Sequence, residues 1–84
     1  MKIILDLKDA QTPLEAQERL QSALNFPEYY GKNLDACYDM LTTWEHPAEF
    51  SLKLPKDGDM GAYGKRLQNV FEDAAAANSR IKLK

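Results

Sequence analysis

The sequence has few of the residues on which covalent frameworks and nucleophilic sites depend. It contains one cysteine, Cys37, and one histidine, His46, among its 84 residues. A lone cysteine forms no disulfide within the chain and supplies no cysteine-based zinc site. This usage fits a reducing compartment, so we interpret the chain as cytoplasmic.

Long hydrophobic runs are also absent. The N-terminal segment MKIILDL reaches its first acidic residue at Asp6, so its apolar run is too short for a signal-peptide core or a membrane span. A chain of 84 residues is expected to form one domain, residues 1–84, with room for one core and little space for a deep cleft. We therefore expect no membrane partner and no small-molecule substrate.

The glycines do not form a phosphate-binding loop. Gly58, Gly61 and Gly64 lie near a predicted helix start, but their spacing matches neither GxGxxG nor a P-loop. Asp35, Asp39 and His46 lack the pattern of a calcium loop. We expect no cofactor and no metal site.

The first third of the chain predicts a strand and a helix. Residues 2–7, KIILDL, are nearly continuously apolar, which predicts a strand buried on both faces. Thr12, Pro13 and Glu15 form a helix-start signal with a capping box. The helix should end near residue 24, before Pro27. Its predicted core stripe consists of Leu14, Leu20, Ala23 and Leu24.

The remaining two thirds predict two helices and two strands. Asn33 can cap a helix over residues 34–43, and the alternating segment EFSLKL at 49–54 predicts a strand. After the turn-rich PKDGDMG, apolar spacing predicts a helix from about residue 60 to 77, then a short strand at 80–84. The order β-α-α-β-α-β predicts an α/β fold: a three-stranded parallel sheet packed with about three main helices.

Charge is concentrated in the middle of the sequence. Residues 28–49 hold five acidic residues and one basic residue, a formal charge of −4, whereas the whole chain carries −2. An acidic surface disfavours nucleic acid, whose phosphates require Lys and Arg. It favours a cationic partner, which it also helps to steer into contact.

The second predicted helix separates into two faces. Leu34, Cys37 and Leu41 form an apolar stripe. A different face carries Asp35, Tyr38, Asp39 and Thr42. The two aspartates are neighbours at i and i+4, which costs roughly 0.2–0.5 kcal/mol. Carboxylates beside an exposed tyrosine are typical of a docking face for a cationic partner. The alternative is an ordinary helix with two incidental acids.

Catalysis by these residues has weak support. Two carboxylates that cleave glycosides must flank a substrate cleft, whereas neighbours on one convex helix face do not. Cys37 lies on the apolar stripe, which indicates a buried structural thiol. His46 precedes Pro47 in a predicted turn and is interpreted as a surface residue. We expect no catalytic residue.

The segment PEYYGKNLDACYDMLTTW, residues 27–44, resembles the signature segment of the barstar family, intracellular inhibitors of the ribonuclease barnase. The matching parts are PEYYG at 27–31, NLDA at 33–36, and then Asp39, Leu41, Thr42 and Trp44. The likeness extends more weakly over the whole chain, including VFEDA at 70–74 and the terminal strand. The family fold has three parallel strands.

The resemblance implies an inhibitor rather than an enzyme. In the family, the tyrosine loop and second helix plug the active site of one basic ribonuclease, in a one-to-one complex. Asp39 then matches the carboxylate that takes the place of a substrate phosphate. The implied partner-binding residues around it are Tyr29, Tyr30, Asn33, Leu34, Asp35, Tyr38, Thr42, Thr43, Trp44 and, on the last helix, Asp73.

Three departures from the family pattern leave a second hypothesis open. Tyr38 stands where the family has tryptophan, Thr43 replaces a glycine, and the connection before the last helix is shorter. The alternative function is a barstar-like binding module or immunity protein for a different, non-barnase partner. A third hypothesis, an enzyme that uses Asp35 and Asp39 as acid and base, is disfavoured by the convex helix face.

Overall fold

The computed structural model describes residues 1–84 and confirms the predicted α/β class and element order. The elements are β1 (Lys2–Asp6), α1 (Pro13–Leu24), α2 (Leu34–Thr42), β2 (Ala48–Lys53), α3 (Gly58–Ala77) and β3 (Ile81–Leu83). The strands form one sheet in the order β1-β2-β3. None of the helices combines the length and apolar character needed to cross a membrane.

Both strand pairs are parallel, with β2 in the centre. The β1–β2 register runs from Lys2 opposite Glu49 to Asp6 opposite Lys53. β3 is shorter and pairs only with the first half of β2, from Ala48 to Phe50. Parallel pairing requires long crossover connections, and the helices occupy them. α1 and α2 both lie between β1 and β2, and α3 lies between β2 and β3.

The sheet is covered on one face, which corrects the prediction that β1 is buried on both. Leu5 is 1% exposed, whereas its neighbour Ile4 is 65% exposed. The core residues of the strands, Leu5, Ala48, Phe50 and Ile81, share the face covered by the helices. An apolar run cannot reveal which face the helices will cover, and here all of them pack on the same side.

Helix α1 begins as predicted but buries a different stripe. The backbone N–H of Glu15 donates to Thr12 Oγ1 at 3.0 Å, and Gln11 N–H donates to Glu15 Oε1 at 3.2 Å. The prediction for Leu14 and Ala23 was wrong, because both are exposed. The side of the helix that faces the core is rotated away from Leu14 and Ala23. Its buried residues are Ala16, Gln17, Leu20 and Leu24.

Helix α3 begins slightly earlier than predicted, inside the turn-rich segment. Gly58, with φ of 64°, is its first residue. Gly61 and Gly64 bring the first turns of the helix against the backbone of Pro55 and Lys56. A Cβ atom on Gly61 would lie 2.6 Å from the Lys56 carbonyl oxygen, so a larger residue would push the helix away. Phe71, further along, completes the core under the sheet.

Candidate protein-binding surface

One side of α2 presents the predicted docking residues. Asp35 and Asp39 are exposed, and Tyr38 is 37% exposed between them. We call these three residues the acidic face. The opposite side of the helix is occupied by Cys37 and Leu41, both fully buried, so packing fixes which side chains point outward. Burial of the apolar stripe therefore leaves the acidic face exposed.

The carboxylates of the acidic face have no cation within the chain to neutralise them. The ion pairs are Arg19 with Asp9 and with Glu15, and Lys32 with Glu18. Lys32 is the only basic residue of the segment 28–49, and its Nζ lies 3.8 Å from Glu18 Oε2 on α1. Neither Asp35 nor Asp39 therefore has an ion-pair partner within the chain.

The loop between α1 and α2 places its two tyrosines differently. Tyr29 is 86% exposed, which agrees with a role in contacting a partner, whereas Tyr30 is 5% exposed. The Tyr30 ring packs against Phe26 with centroids 4.8 Å apart, and its hydroxyl donates to Gln17 Oε1 at 2.5 Å. The Tyr30 side chain therefore belongs to the core, which argues against its predicted role as a contact residue.

The start of α2 is fixed by Asn33, the residue that was predicted to cap it. Asn33 Oδ1 accepts the backbone N–H of Ala36 at 2.7 Å. Lys32 precedes it in the left-handed region, with φ of 55°. This cap orients the first turn, where Asp35 lies close to the positive end of the helix dipole. Asn33 is itself exposed, so it is available to a partner as well.

The end of α2 is held by a residue that sequence reasoning missed. The side-chain amide of Asn78, just after α3, donates to the carbonyls of Leu41 and Trp44 at 3.0 and 2.9 Å. These are carbonyls at or just beyond the helix end, where backbone partners run out. Asn78 is only 6% exposed. The sequence places it just beyond the predicted end of the last helix, near residue 77, but gives no sign that it bonds Leu41, 37 residues earlier.

The remaining predicted residues surround this helix at different depths. Leu34 and Thr42 are half-buried, and Thr43 is exposed with its hydroxyl donating to the Asp39 carbonyl at 3.0 Å. Trp44 is half-buried, and its ring packs edge-on against Phe50 with ring centroids 5.8 Å apart. Its indole N–H is enclosed without an acceptor, so much of this side chain supports the core. Asp73 is exposed on α3, which packs against α2.

The buried thiol beneath the acidic face is not activated. Burial raises the pKa of Cys37 from 9.0 to about 11, so the thiol stays protonated at neutral pH. Burial also raises the pKa of Tyr30. The thiolate is the nucleophilic form of cysteine, and here it is strongly disfavoured. These environments are those of packed structural groups.

Cavities lie apart from the centre of the acidic face. A cavity of about 410 Å³ between β2, β3 and α3 includes none of the predicted site residues. A shallow groove of similar volume contacts the edge of the site through Asn33, Leu34 and Asp35. No three His, Cys, Asp or Glu side chains converge as a metal-binding group.

Fold and surface together define a small α/β protein that offers an acidic helix and an exposed tyrosine loop. Comparison with protein families shows that the family model described as "Barstar (barnase inhibitor)" matches residues 1–84, the whole chain. The chain therefore belongs to the barstar family, a family of ribonuclease inhibitors rather than enzymes. Among curated proteins, it is 36% identical over 76 residues to one from Bacillus subtilis (strain 168) named "Putative ribonuclease inhibitor YrdF". That alignment covers 87% of this chain and 84% of the relative.

Proposed function

We propose that this protein inhibits a basic, barnase-like ribonuclease by inserting the acidic face and the Tyr29 loop into the nuclease active site. The complex is one-to-one, and the protein itself carries out no chemistry. Asp39 stands in for a phosphate of the RNA backbone among the cationic groups of the nuclease. Asp35 and Tyr38 flank it, and Tyr29 supplies apolar contact area at the edge.

The observation that carries this proposal is the pair of exposed, unneutralised carboxylates one turn apart on α2. Such an arrangement is slightly unfavourable for the isolated helix, and nothing else in the chain compensates the charge of Asp39. A cationic active site would supply the missing counter-charges. Charge complementarity of this kind also accelerates the encounter of the two proteins.

The rigidity of the surface supports the same function. α2 is capped at its start by Asn33 and held at its end by Asn78, while Cys37 and Leu41 fix its rotation. A partner therefore meets a helix whose position and rotation are already fixed. Pre-formed surfaces bind more tightly because less freedom is lost on association.

Titration against purified barnase tests the proposal. Barnase hydrolysis of a fluorogenic RNA substrate should fall linearly with added protein and reach zero at one equivalent. Asp39→Ala should need a large excess for the same effect, and Glu72→Ala, which removes an exposed carboxylate on α3, should behave as wild type. A full excess of wild-type protein that leaves barnase activity unchanged would contradict the proposal.

A second candidate function has one observation in its favour. Thr43 is exposed at the end of α2, where the family pattern has a glycine, so its side chain occupies space that a barnase-type partner would approach closely. A barstar-like module or immunity protein for a different partner would fit this change. A pull-down from extract of the source cell, with Asp39→Ala protein as the matched bait, distinguishes the two. Recovery of a non-ribonuclease by wild type alone favours the second candidate.

A further inference from the structure

A buried amide connects the tyrosine loop to two helices. Gln17 lies in the core stripe of α1 and is fully buried. Its Oε1 accepts the Tyr30 hydroxyl at 2.5 Å, and its Nε2 donates to the Tyr63 hydroxyl of α3 at 2.8 Å. A buried amide without hydrogen-bond partners costs stability, so these two bonds favour one orientation of the Gln17 side chain. The same bonds hold the Tyr30 and Tyr63 hydroxyls in place.

The same side of α1 contacts the loop at two further points. Gln21, one turn after Gln17, donates from Nε2 to the Pro27 carbonyl at 2.9 Å. Glu18 pairs with Lys32 at 3.8 Å. The loop is thus held on both sides of Tyr29, whose own side chain has almost no contact with the rest of the molecule. We call Gln17, Glu18 and Gln21 the loop support.

The loop support lies on α1 and is separate from the acidic face on α2. The members of the loop support are 13, 14 and 6 residues from the loop residues they bond. The Gln17–Tyr30 bond is buried, so it cannot be replaced by water without opening the core. A loop that must present one exposed ring to a partner loses less freedom on binding when its neighbours are already fixed.

We propose that Gln17 is a positioning residue for partner binding, acting through Tyr30 to hold the loop so that Tyr29 is presented in its binding position. The inference rests on the proposed function, since it assigns Gln17 a part in forming the same interface. Gln17 and Tyr30 contribute without touching the partner. Tyr29 is the side chain through which their effect reaches it.

Two conservative substitutions test the link. Tyr30→Phe keeps the buried ring and removes only the hydroxyl, and Gln17→Met keeps a side chain of similar length without the amide. Each should raise Kd for barnase by roughly 2- to 10-fold, the range expected when one side chain must be ordered on binding. Gln68→Met, the same change at an exposed position of α3, should leave Kd unchanged. Urea unfolding verifies that every variant is folded at the assay temperature.

A double-mutant cycle distinguishes positioning from general destabilisation. If Tyr30 acts through Tyr29, Tyr30→Phe should weaken binding little in a Tyr29→Ala background, yet retain its full effect in an Asp39→Ala background. Amide hydrogen exchange of residues 28–32 should accelerate in Tyr30→Phe while exchange in α2 stays unchanged. An undiminished effect of Tyr30→Phe in the Tyr29→Ala protein overturns the inference, as does wild-type affinity of both Gln17→Met and Tyr30→Phe.

The outcomes separate the inference from the proposed function. If the wild-type protein binds barnase, and Gln17→Met and Tyr30→Phe bind it with the same Kd, the positioning role is refuted and the proposed inhibitor function stands. Absence of wild-type binding to barnase removes the proposed function, and the positioning role for that partner with it. In that case unchanged loop exchange in Tyr30→Phe also overturns the structural part, that Gln17 orders the loop.

Discussion

Replacing Asp39 with alanine should change folding and binding in opposite directions. In the free protein, the Asp39 side chain lies mid-helix, exposed, with no ion pair and with Asp35 one turn before it. Alanine removes the repulsion, worth roughly 0.2–0.5 kcal/mol. It is also the better helix former by up to about 0.7 kcal/mol. The free energy of unfolding should therefore stay the same or rise, by no more than about 1.2 kcal/mol in total.

Binding should weaken strongly in the same variant. Removal of a carboxylate buried against cationic groups leaves those groups unpaired, at a cost of about 2–5 kcal/mol. This range includes measurements on the barnase–barstar pair, so its magnitude is one already observed within the same family. It corresponds to a rise in Kd of roughly 30- to 5,000-fold. Most of the change should appear as faster dissociation, because the lost contact acts in the formed complex.

Two measurements on one preparation check this prediction. Urea unfolding followed by tryptophan fluorescence gives the stability, since Trp44 lies half-buried against Phe50. Stopped-flow association and competition dissociation with barnase give Kd. Glu45→Ala removes another exposed carboxylate just after α2 and should change Kd little. If Asp39→Ala unfolds the protein and leaves affinity intact, Asp39 is structural and the inhibitor mechanism loses its main physical support.

Four further outcomes follow from the structure. The association rate with barnase should fall steeply between low and high salt, since exposed charges are screened over roughly 10 Å at 0.1 M; a flat rate would contradict electrostatic steering, an effect known from the barnase–barstar pair. Asn33→Ala should lower stability in urea by about 0.5–2 kcal/mol through loss of the cap, whereas Asn33→Asp should retain most of it. Asn78→Ala should cost about 1–3 kcal/mol by leaving buried carbonyls without donors, with exposed Ser79→Ala as the unaffected control. Because the folded state holds the Cys37 proton more tightly, stability should decline as pH rises from 9.0 to about 11; Cys37→Ala should make that decline less steep, with the remainder due to buried Tyr30, and an identical slope would refute the assignment.

The sequence predicted features that depend on neighbouring residues and missed those that depend on distant ones. The caps at Thr12 and Asn33 were predicted correctly because the accepting oxygen and the donating N–H lie three residues apart. The rotation of α2 was also predictable, since its apolar stripe is unambiguous. Tyr29 and Tyr30 have the same local preferences, and only Gln17 and Phe26 decide which ring lies inside.

Burial on the sheet shows the same limit. The apolar segment of β1 gave no sign that Ile4 would lie on an uncovered face, because that depends on where the helices pack. Gln17 carries a usable signal in the sequence, because it is a polar residue within the stripe formed by Ala16, Leu20 and Leu24. A buried amide at such a position must find hydrogen-bond partners, which makes it a marker of tertiary contacts.

The proposed binding surface lies within the β1–β2 connection, so its formation depends on parts of the chain that are synthesised later. The tyrosine loop and α2 lie between Asp6 and Ala48, so the ends of this segment come together only when β1 pairs with β2. Closing so long a connection costs conformational entropy that only the assembled sheet and core repay. Asn78, which holds the end of α2, follows Leu41 by 37 residues and is therefore synthesised well after it. A peptide of residues 27–44 thus contains most of the proposed contact residues without the structure that presents them, and a growing chain can present them only after β2, α3 and Asn78 have been synthesised.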